Sequence, residues 1–317
     1  MTAPVRHFLR DDDITVEEQE AVLVAAERLA RDPRAGAGLL SGTAIGLYFE
    51  KHSLRTRVSS EVAASRLGAH PVQLRREELQ LARGETLEDS ARVLAGYLGL
   101  LMGRVYDHAT LSALAAPGTL PVVNGLSDRF HPLQVLADLL TMRMEWGADL
   151  RERTLAYVGD GNNVAASLLL GGAMAGLRVV VAAPSGYAPD GGVVAEAMAI
   201  AATTGGDVAV TEDASEAADG ADVLYTDVWT SMGMEGEEET RRDAFAGFRL
   251  DAGLVARARP DVVVLHCLPA HRGEEIAADV IDGPHSRVFA QAHNRLPATA
   301  ALFLMLCDAA AFRELSA

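Results

Sequence analysis

The sequence is poor in aromatic residues, in cysteines and in basic residues relative to acidic ones. Aromatic residues make up 5% of a chain that is 49% hydrophobic, so alanine and aliphatic side chains must fill its core. The two cysteines, Cys267 and Cys307, show neither a pairing pattern nor a metal-ligand spacing, which predicts a protein of the reducing cytoplasm. The formal net charge of -16 argues against nucleic acid or an acidic membrane as partner.

A signal sequence and an uninterrupted membrane-length hydrophobic run are also lacking. Residues 1–13 contain no apolar core of the kind found in secretory signals. The most apolar stretch, 168–184, is broken by glycines and by Arg178, which is typical of a helix, a turn and a strand. The sequence therefore predicts no membrane association.

What the chain does contain is a repeated alternation of apolar strands and helices. Strands are predicted at 43–50, 70–74, 100–104, 120–124, 154–158, 178–183, 207–210, 222–226, 261–265 and 286–290, and helices at 16–31, 53–68, 86–98, 133–147, 162–175, 190–203, 213–219, 250–258 and 297–314. This order is typical of α/β proteins with parallel sheets. A length of 317 residues allows two ordinary domains, and Gly147-Ala148-Asp149 is a plausible junction.

We therefore predict two α/β domains, each a parallel β-sheet flanked by helices. The first covers residues 1–145 and is completed by a C-terminal helix, 297–317, that packs back on it. The second covers residues 150–290.

The clearest candidate site is the stretch Ser53-Leu54-Arg55-Thr56-Arg57, where a buried strand passes into a helix. The free N–H groups and the positive dipole of a helix start bind anions. Arginines and hydroxyls add the bidentate and short hydrogen bonds that suit phosphate. The alternative is a solvated helix start on which the hydroxyls act only as caps.

Further polar residues follow other predicted strands, at the sheet edge where open α/β sheets bind ligands. Arg104 ends one strand and is either a surface cap or a ligand clamp. His131 and Gln134, at a helix start, are either ordinary loop residues or donors suited to a carbonyl and its amino group. Arg295 could supply another guanidinium after the last strand.

In the second half, a glycine-rich turn precedes Asn163. The G-x-G-x-x-G dinucleotide fingerprint is incomplete, because Val164 stands where the third glycine belongs, so Asn163 better suits a carboxylate. Asp227 is either a cap or an acceptor for an ammonium group. Cys267 is either a small buried residue or a nucleophile with His266 or His271 as base. The spacing of those two histidines is poor for a metal, and no metal is expected.

Together these segments resemble the aspartate/ornithine carbamoyltransferase family along nearly the whole chain. The family's Ser-Thr-Arg-Thr-Arg loop is similar to residues 53–57, and its His-Pro-x-Gln to residues 131–134. Its Asp-x-x-x-Ser-Met-Gly and His-Cys-Leu-Pro segments are similar to residues 227–233 and 266–269. The Ser-Met-Gly sequence points to the ornithine-specific members and away from those that act on aspartate.

The resemblance implies transfer of the carbamoyl group from carbamoyl phosphate to the side-chain amine of L-ornithine, giving L-citrulline and phosphate. It implies that carbamoyl phosphate is bound by Ser53, Leu54, Arg55, Thr56, Gln80, Arg104, His131, Gln134, Cys267, Leu268 and Arg295, and ornithine by Asn163, Asp227, Ser231 and Met232. Of these, Arg55, Thr56, Arg104, His131 and Cys267 are implied to be catalytic.

The same resemblance implies an organisation of the assembly. The first domain binds carbamoyl phosphate and faces the amino-acid domain across a cleft. No cofactor and no metal are expected. The assembly is implied to be a homotrimer or a multiple of trimers, with Gln80 reaching into the site of a neighbouring subunit.

Several positions depart from the family pattern. Leu54 replaces a threonine, Ala82 a glycine and His293 a glutamate, while Pro297 and Ala300 replace a histidine and a lysine. These departures leave two alternatives open: a carbamoyltransferase that acts on a related diamino acid or another amine in a specialised pathway, and a non-catalytic binding protein with the same fold. The synthetic or degradative direction also stays open.

Overall fold

The computed structural model describes residues 5–76, 84–230 and 235–317. The chain divides into two compact units, one formed by Met1–Leu140 with His293–Ala317 and the other by Thr141–Ala292. Each unit is built on one parallel sheet, as the alternation of elements predicts. Among the described residues, no helix is long and apolar enough to cross a membrane.

The first unit contains a four-stranded sheet in the order β2-β1-β3-β4. Its strands are β1 (Ala44–Phe49), β2 (His70–Arg75), β3 (Leu100–Arg104) and β4 (Val122–Leu126), and all three pairings are parallel. The chain runs from β1 outward to β2 and then returns to β3 on the other side. The ends of β1 and β3 are therefore the point at which the strand order reverses, where α/β sheets form ligand crevices.

The helices of the first unit connect and cover these strands. They are α1 (Val16–Arg31), α2 (Arg55–Arg66), α3 (Leu87–Leu94), α4 (His108–Ala115) and the beginning of α5 (Pro132–Trp146). At the start of α1, Thr15 and Glu18 form a reciprocal capping box, which satisfies two N–H groups that a helix start leaves free. Buried side chains of the strands, including Tyr48 and Leu101, pack against Leu111 and Leu114 of α4 to form the core.

The second unit contains a five-stranded parallel sheet in the order β7-β6-β5-β8-β9. Its strands are β5 (Thr154–Val158), β6 (Arg178–Ala182), β7 (Asp207–Thr211), β8 (Val223–Thr226) and β9 (Val263–His266), joined by α6 (Asn163–Met174), α7 (Gly191–Thr204), α8 (Ala214–Ala218), α9 (Glu238–Ala244), α10 (Ala252–Val255) and α11 (Ala278–Ile281). Here the strand order reverses between β5 and β8. Small residues such as Ala156 and Ala182 share the core with Trp229 and Phe245.

The C-terminal region differs from the prediction. The predicted strand at 286–290 is wrong, because Val288 begins a long helix, α12 (Val288–Cys307), and residues 286 and 264 form only an isolated bridge. The predicted helix 297–314 is two helices, α12 and α13 (Ala309–Ser316), separated at Asp308, whose side chain caps α13. Residues from His293 onward group with the first unit, as predicted for the C-terminal helix.

Other predicted elements are confirmed with shifted ends. Strand 120–124 lies at Val122–Leu126, and the helix predicted over 250–258 is limited to Ala252–Val255. Helices α4, α9 and α11 were not predicted. The α4 segment begins after Asp107, whose side chain accepts the N–H of Ala109, so a capping signal was present in the sequence.

Candidate active site

In the first unit, the turn between β1 and α2 has the structure expected of an anion site. Helix α2 begins at Arg55, and Leu54 at the preceding position makes no side-chain cap. The hydroxyl of Ser53 instead accepts the N–H of Thr56 at 3.3 Å. This turn lies at the reversal point of the sheet, with β1 paired directly to β3, which ends at Arg104. The positive end of a twelve-residue helix therefore faces the edge where ligands bind.

Thr56 joins two arginines from distant parts of the chain. Its hydroxyl oxygen accepts a hydrogen bond from Nη1 of Arg104 at 3.3 Å and another from Nη2 of Arg295 at 3.1 Å. Thr56 is 1% exposed. A hydroxyl has two lone pairs and one proton, and both lone pairs are occupied here. The hydroxyl proton is therefore directed away from the two guanidinium groups.

Arg295 is held by a second hydrogen bond within the same unit. Its Nη1 donates to Oε1 of Gln134 at 2.6 Å, and Nε2 of Gln134 donates to Oδ1 of Asp138 at 2.8 Å. These three residues are buried. Because both ends of the Gln134 amide are engaged, its oxygen and nitrogen positions are fixed by the network. Asp138 was not predicted, although its position one turn after Gln134 on α5 provides a signal.

His131 is held in its neutral form. Burial lowers its pKa well below the ordinary value of 6.5, and the charges of Arg295 and Arg104 lower it further. A neutral imidazole has one N–H donor and one acceptor nitrogen. At neutral pH His131 can thus donate a hydrogen bond to a carbonyl oxygen but cannot act as a protonated acid.

The first unit concentrates positive charge at this point despite the acidic chain. Arg55 and Arg104 both act on the pKa of His131, and Arg104 also contributes, after burial, to a lowered pKa of Lys51. Like charges disfavour one another, so their gathering in a partly buried place indicates an anionic ligand that offsets the repulsion. The arrangement can bind a phosphate and stabilise a negative charge that forms on a neighbouring oxygen.

In the second unit, polar side chains meet where β5 and β8 end. The side-chain oxygen of Asn162 caps α6 by accepting the N–H groups of Val164 and Ala165. Its Nδ2 donates to Oδ2 of Asp227 at 2.9 Å. Asn162 thus fixes Asp227 beside the start of α6, where Asn163 is partly exposed. The sequence interpretation named Asn163 and Asp227 but missed the residue that connects them.

Cys267 lies beside the same carboxylate. Its Sγ donates to Oδ1 of Asp227 at 2.8 Å, so the two oxygens of Asp227 contact Asn162 and Cys267 respectively. A buried carboxylate held between two donors can accept a third hydrogen bond, from an ammonium group. The cysteine thiol is thus held against the Asp227 carboxylate.

The prediction that His266 could serve as the base for Cys267 is wrong. His266 is buried, its Nδ1 accepts the N–H of Leu268 at 2.9 Å, and its Nε2 contacts Oε1 of buried Glu275 at 3.1 Å. Since both ring nitrogens are engaged, the ring holds the backbone after β9 and takes no proton from the thiol. His271 is exposed, and its backbone N–H donates a hydrogen bond to Oε1 of Glu275 at 2.6 Å.

Two groups of metal-ligating residues occur within the described ranges: Asp227 with His266 and Cys267, and His271 with Glu274 and Glu275. In the first group, hydrogen bonds between the members and their neighbours already use the carboxylate, thiol and imidazole atoms. In the second, Oε1 of Glu275 already accepts the His271 N–H.

Three site residues named from the sequence lie outside the described residues: Gln80, Ser231 and Met232, together with the departure at Ala82. The other departures can be placed. Leu54 is 74% exposed, His293 is exposed, Pro297 lies within α12 and Ala300 is buried. The leucine side chain that replaces a threonine is therefore exposed in this chain.

Two sequence models of protein families match the chain. One, described as the carbamoyl-P binding domain of aspartate/ornithine carbamoyltransferase, matches residues 6–144. The other, described as the Asp/Orn binding domain of the same family, matches residues 151–306. The family resemblance found in the sequence is thereby confirmed over nearly the entire chain.

Individual relatives agree with the family models. The ornithine carbamoyltransferase of Acidothermus cellulolyticus is 55% identical over 309 residues, which cover 98% of this chain and 99% of that protein. That of Parafrankia sp. is 52% identical, covering 97% of each chain. The solved structure of ornithine carbamoyltransferase from Pyrococcus furiosus superimposes with a TM-score of 0.91 at 46% identity, covering 96% of this chain and 97% of that one. With this fold, these site residues and these relatives, the chain belongs to the aspartate/ornithine carbamoyltransferase family.

Proposed function

We propose that this chain transfers the carbamoyl group of carbamoyl phosphate to the side-chain amine of L-ornithine, giving L-citrulline and phosphate. The observation that carries the proposal is the hydroxyl of Thr56, which accepts hydrogen bonds from Arg104 and Arg295 beside neutral His131. Two guanidiniums, an aligned hydroxyl and a helix start suit a phosphate joined to a carbonyl. The names of the relatives, all ornithine carbamoyltransferases, support ornithine as the acceptor.

The first unit supplies the groups for carbamoyl phosphate. Ser53, Arg55, Thr56 and the N–H groups at the start of α2 bind the phosphate. Arg104, Thr56 and the N–H of His131 face the carbonyl oxygen, and Arg295 and Gln134 complete the site. Because these donors are arranged before the reaction begins, they stabilise the negative charge of the tetrahedral intermediate without reorganising.

The chemistry requires one bond to form and one to break. The neutral amine nitrogen attacks the carbonyl carbon, and the carbonyl oxygen takes the electron pair. When that pair returns, the carbon–oxygen bond to phosphate breaks and phosphate leaves. The nitrogen releases one proton, which the departing phosphate can accept. Arg55 and Thr56 assist the departure because they bind the oxygen atoms that gain charge.

The second unit supplies the groups for the amino acid. Asn163 and the Met232 main chain bind the substrate carboxylate, and Asp227 with Ser231 binds the α-amino group. Cys267 and Leu268 lie after β9, next to Asp227. In this proposal residues 1–145 with 297–317 form the carbamoyl phosphate domain and residues 150–290 the amino-acid domain.

We also propose a homotrimer, or a multiple of trimers, acting in the cytoplasm. Among the described residues of the first unit, six large apolar side chains are exposed: Leu54 and Tyr97 at 74%, Val93 at 54%, Val58 and Tyr106 at 48% and Val16 at 38%. A contact with neighbouring subunits would bury such side chains. Light scattering of the purified protein should give three times the chain mass or a multiple of it, and cell fractionation should place it with cytoplasmic markers.

The test of the activity is the stoichiometry of its products. Purified protein with carbamoyl phosphate and L-ornithine should release citrulline and phosphate in equal amounts. Shared sites are tested by mixing two inactive variants, Gln80→Ala and Arg104→Met, after dissociation and reassembly. Mixed trimers should regain activity, because Arg104 from one subunit and Gln80 from its neighbour complete a site. Phosphate release without citrulline would contradict the proposed activity, and no recovery on mixing would contradict the shared site.

A further inference from the structure

Arg241 lies at the meeting point of three segments of the second unit. Its Nη1 donates to Oδ2 of Asp160 at 2.9 Å and to the carbonyl oxygen of Trp229 at 2.9 Å. Its Nε donates to Oε2 of Glu237 at 2.9 Å. Arg241 is 7% exposed, so these bonds are made largely away from water. A buried arginine is stable only where its donors find partners, and Nη1 and Nε of Arg241 find theirs on separate segments of the chain.

Asp160 lies in the turn after β5 and Trp229 in the chain after β8; the third segment that Arg241 contacts is the loop before α7. The guanidinium of Arg241 lies over the ring of Tyr187, 5.0 Å from its centroid. The carbonyl oxygen of Tyr187 accepts the N–H of Gly161 at 2.8 Å. A Cβ at Gly161 would lie 2.3 Å from the backbone nitrogen of Pro189, so the turn after β5 packs directly on this loop. Phe245 stacks on Trp229 and contacts the edge of Tyr187.

The segments joined by Arg241 are those that carry the amino-acid site. Asp160 precedes Asn162 by two residues, and Trp229 follows Asp227 by two residues. Asn162 and Asp227 are themselves hydrogen-bonded at 2.9 Å. The turn after β5 and the chain after β8 are thus joined twice, once by the hydrogen bond between Asn162 and Asp227 and once through Arg241.

We infer that Arg241, paired with Asp160, is a positioning residue that sets the spacing between the groups recognising the two ends of the acceptor's α-amino-acid moiety. The inference rests on the proposed function. Asn163 takes the carboxylate and Asp227 the α-amino group, so the distance between their segments determines how well an α-amino acid is bound. Arg241 acts through Asp160 and Trp229, and the acceptor is an L-α-amino acid with a side-chain amine.

The experiment compares Arg241→Met with Arg242→Met as a matched control. Arg242 is the next residue of α9, with its side chain 60% exposed and a 3.5 Å ion pair to Glu274. Loss of buried, charged hydrogen bonds should raise the ornithine KM of Arg241→Met by about ten-fold or more, with carbamoyl phosphate KM within about two-fold of wild type. Arg242→Met should leave both values within about two-fold, as expected for an exposed pair.

Two further variants keep the test decisive if Arg241→Met does not fold. Arg241→Lys keeps the charge but cannot reproduce the fork of donors, and Asp160→Asn keeps the shape but removes the ion pair. Both should raise ornithine KM. Both should also narrow the kcat/KM preference for L-ornithine over putrescine, which lacks the α-carboxylate, whereas a purely structural role would leave this preference unchanged. Wild-type citrulline formation is measured first. If it is present and all three variants keep ornithine KM and selectivity within two-fold, the inference is wrong while the proposed function stands; if it is absent, the proposed function fails.

Discussion

Replacement of Thr56 by valine tests the central hydrogen bonds of the carbamoyl phosphate site. Valine matches the shape of threonine but lacks the hydroxyl that accepts Nη1 of Arg104 and Nη2 of Arg295. In the proposed site, the hydroxyl donates one charge-assisted hydrogen bond to the ligand, because both of its lone pairs are already used. Such a bond contributes about 1.5–3 kcal/mol, so carbamoyl phosphate affinity should fall about ten- to a hundred-fold.

The assay is isothermal calorimetry of the purified protein with carbamoyl phosphate, with inorganic phosphate as a second ligand. Thr299→Val is the matched control, because Thr299 belongs to the same unit, is fully buried and has an Oγ1 with no hydrogen-bond partner among the described residues. The control should bind carbamoyl phosphate within about two-fold of wild type. Equal affinity of Thr56→Val and wild type, in proteins of equal melting temperature, would refute the role given to this hydroxyl.

Three other predictions concern the same sites. Leu54→Thr should tighten phosphate binding by calorimetry if a hydroxyl at this position matters; an unchanged Kd would mean that the main-chain N–H groups suffice. Asp227→Asn should raise ornithine KM about ten-fold or more while carbamoyl phosphate binding stays nearly intact, and equal loss of both in steady-state kinetics would contradict the division between the units. Between about pH 7 and 9, ornithine KM should fall roughly ten-fold per pH unit while kcat changes little. The reason is that only the neutral amine can attack, and the pKa of a lysine-like amine is about 10.4. A pH dependence carried entirely by kcat would show that a protein group removes the proton after binding.

A fifth prediction follows from the burial of Asp160. Burial raises the pKa of this carboxyl from 3.8 to about 6, outweighing the attraction of Arg241, with Asp227 and Glu237 adding repulsion. Between these values the folded chain holds a proton that the unfolded chain has released, so stability falls as pH rises through the window, by at most about 1.4 kcal/mol per pH unit. Asp160→Asn should flatten this part of the urea-unfolding profile. A profile identical to wild type would show that Asp160 does not titrate there.

Much of the fold could be predicted because local patterns and the final structure agree. The apolar runs that end at Arg104 and Thr226 are buried strands, and the turn after β1 begins a helix as its residues indicate. The run at 286–290 was misassigned because a short apolar segment fits a strand and a buried helix equally well. Its side chains begin α12, and no local signal distinguishes the two.

The site was predictable only in its separate parts. The sequence indicates that Thr56 and Arg295 are each suited to an anion, but they are 239 residues apart, and their contact depends on the folding of the first unit. The ion pair of Asp160 and Arg241 spans 81 residues and has no local signal at all. The error about His266 has the same origin, because the residue that engages its Nε2, Glu275, is recognisable only when the chain after β9 is folded.

The most direct test of the account is the acceptor specificity of the purified protein. Initial rates with saturating carbamoyl phosphate are measured for L-ornithine, L-lysine, L-2,4-diaminobutyrate, L-aspartate and putrescine, and kcat/KM is compared. The proposed function predicts that L-ornithine exceeds each of the others by about ten-fold or more. Putrescine lacks the α-carboxylate that Asn163 is proposed to bind, and L-aspartate lacks a side-chain amine. L-lysine and L-2,4-diaminobutyrate differ from ornithine by one methylene, which costs about that factor. A higher kcat/KM for any other amine, or no carbamoylation of ornithine, would contradict the proposed function.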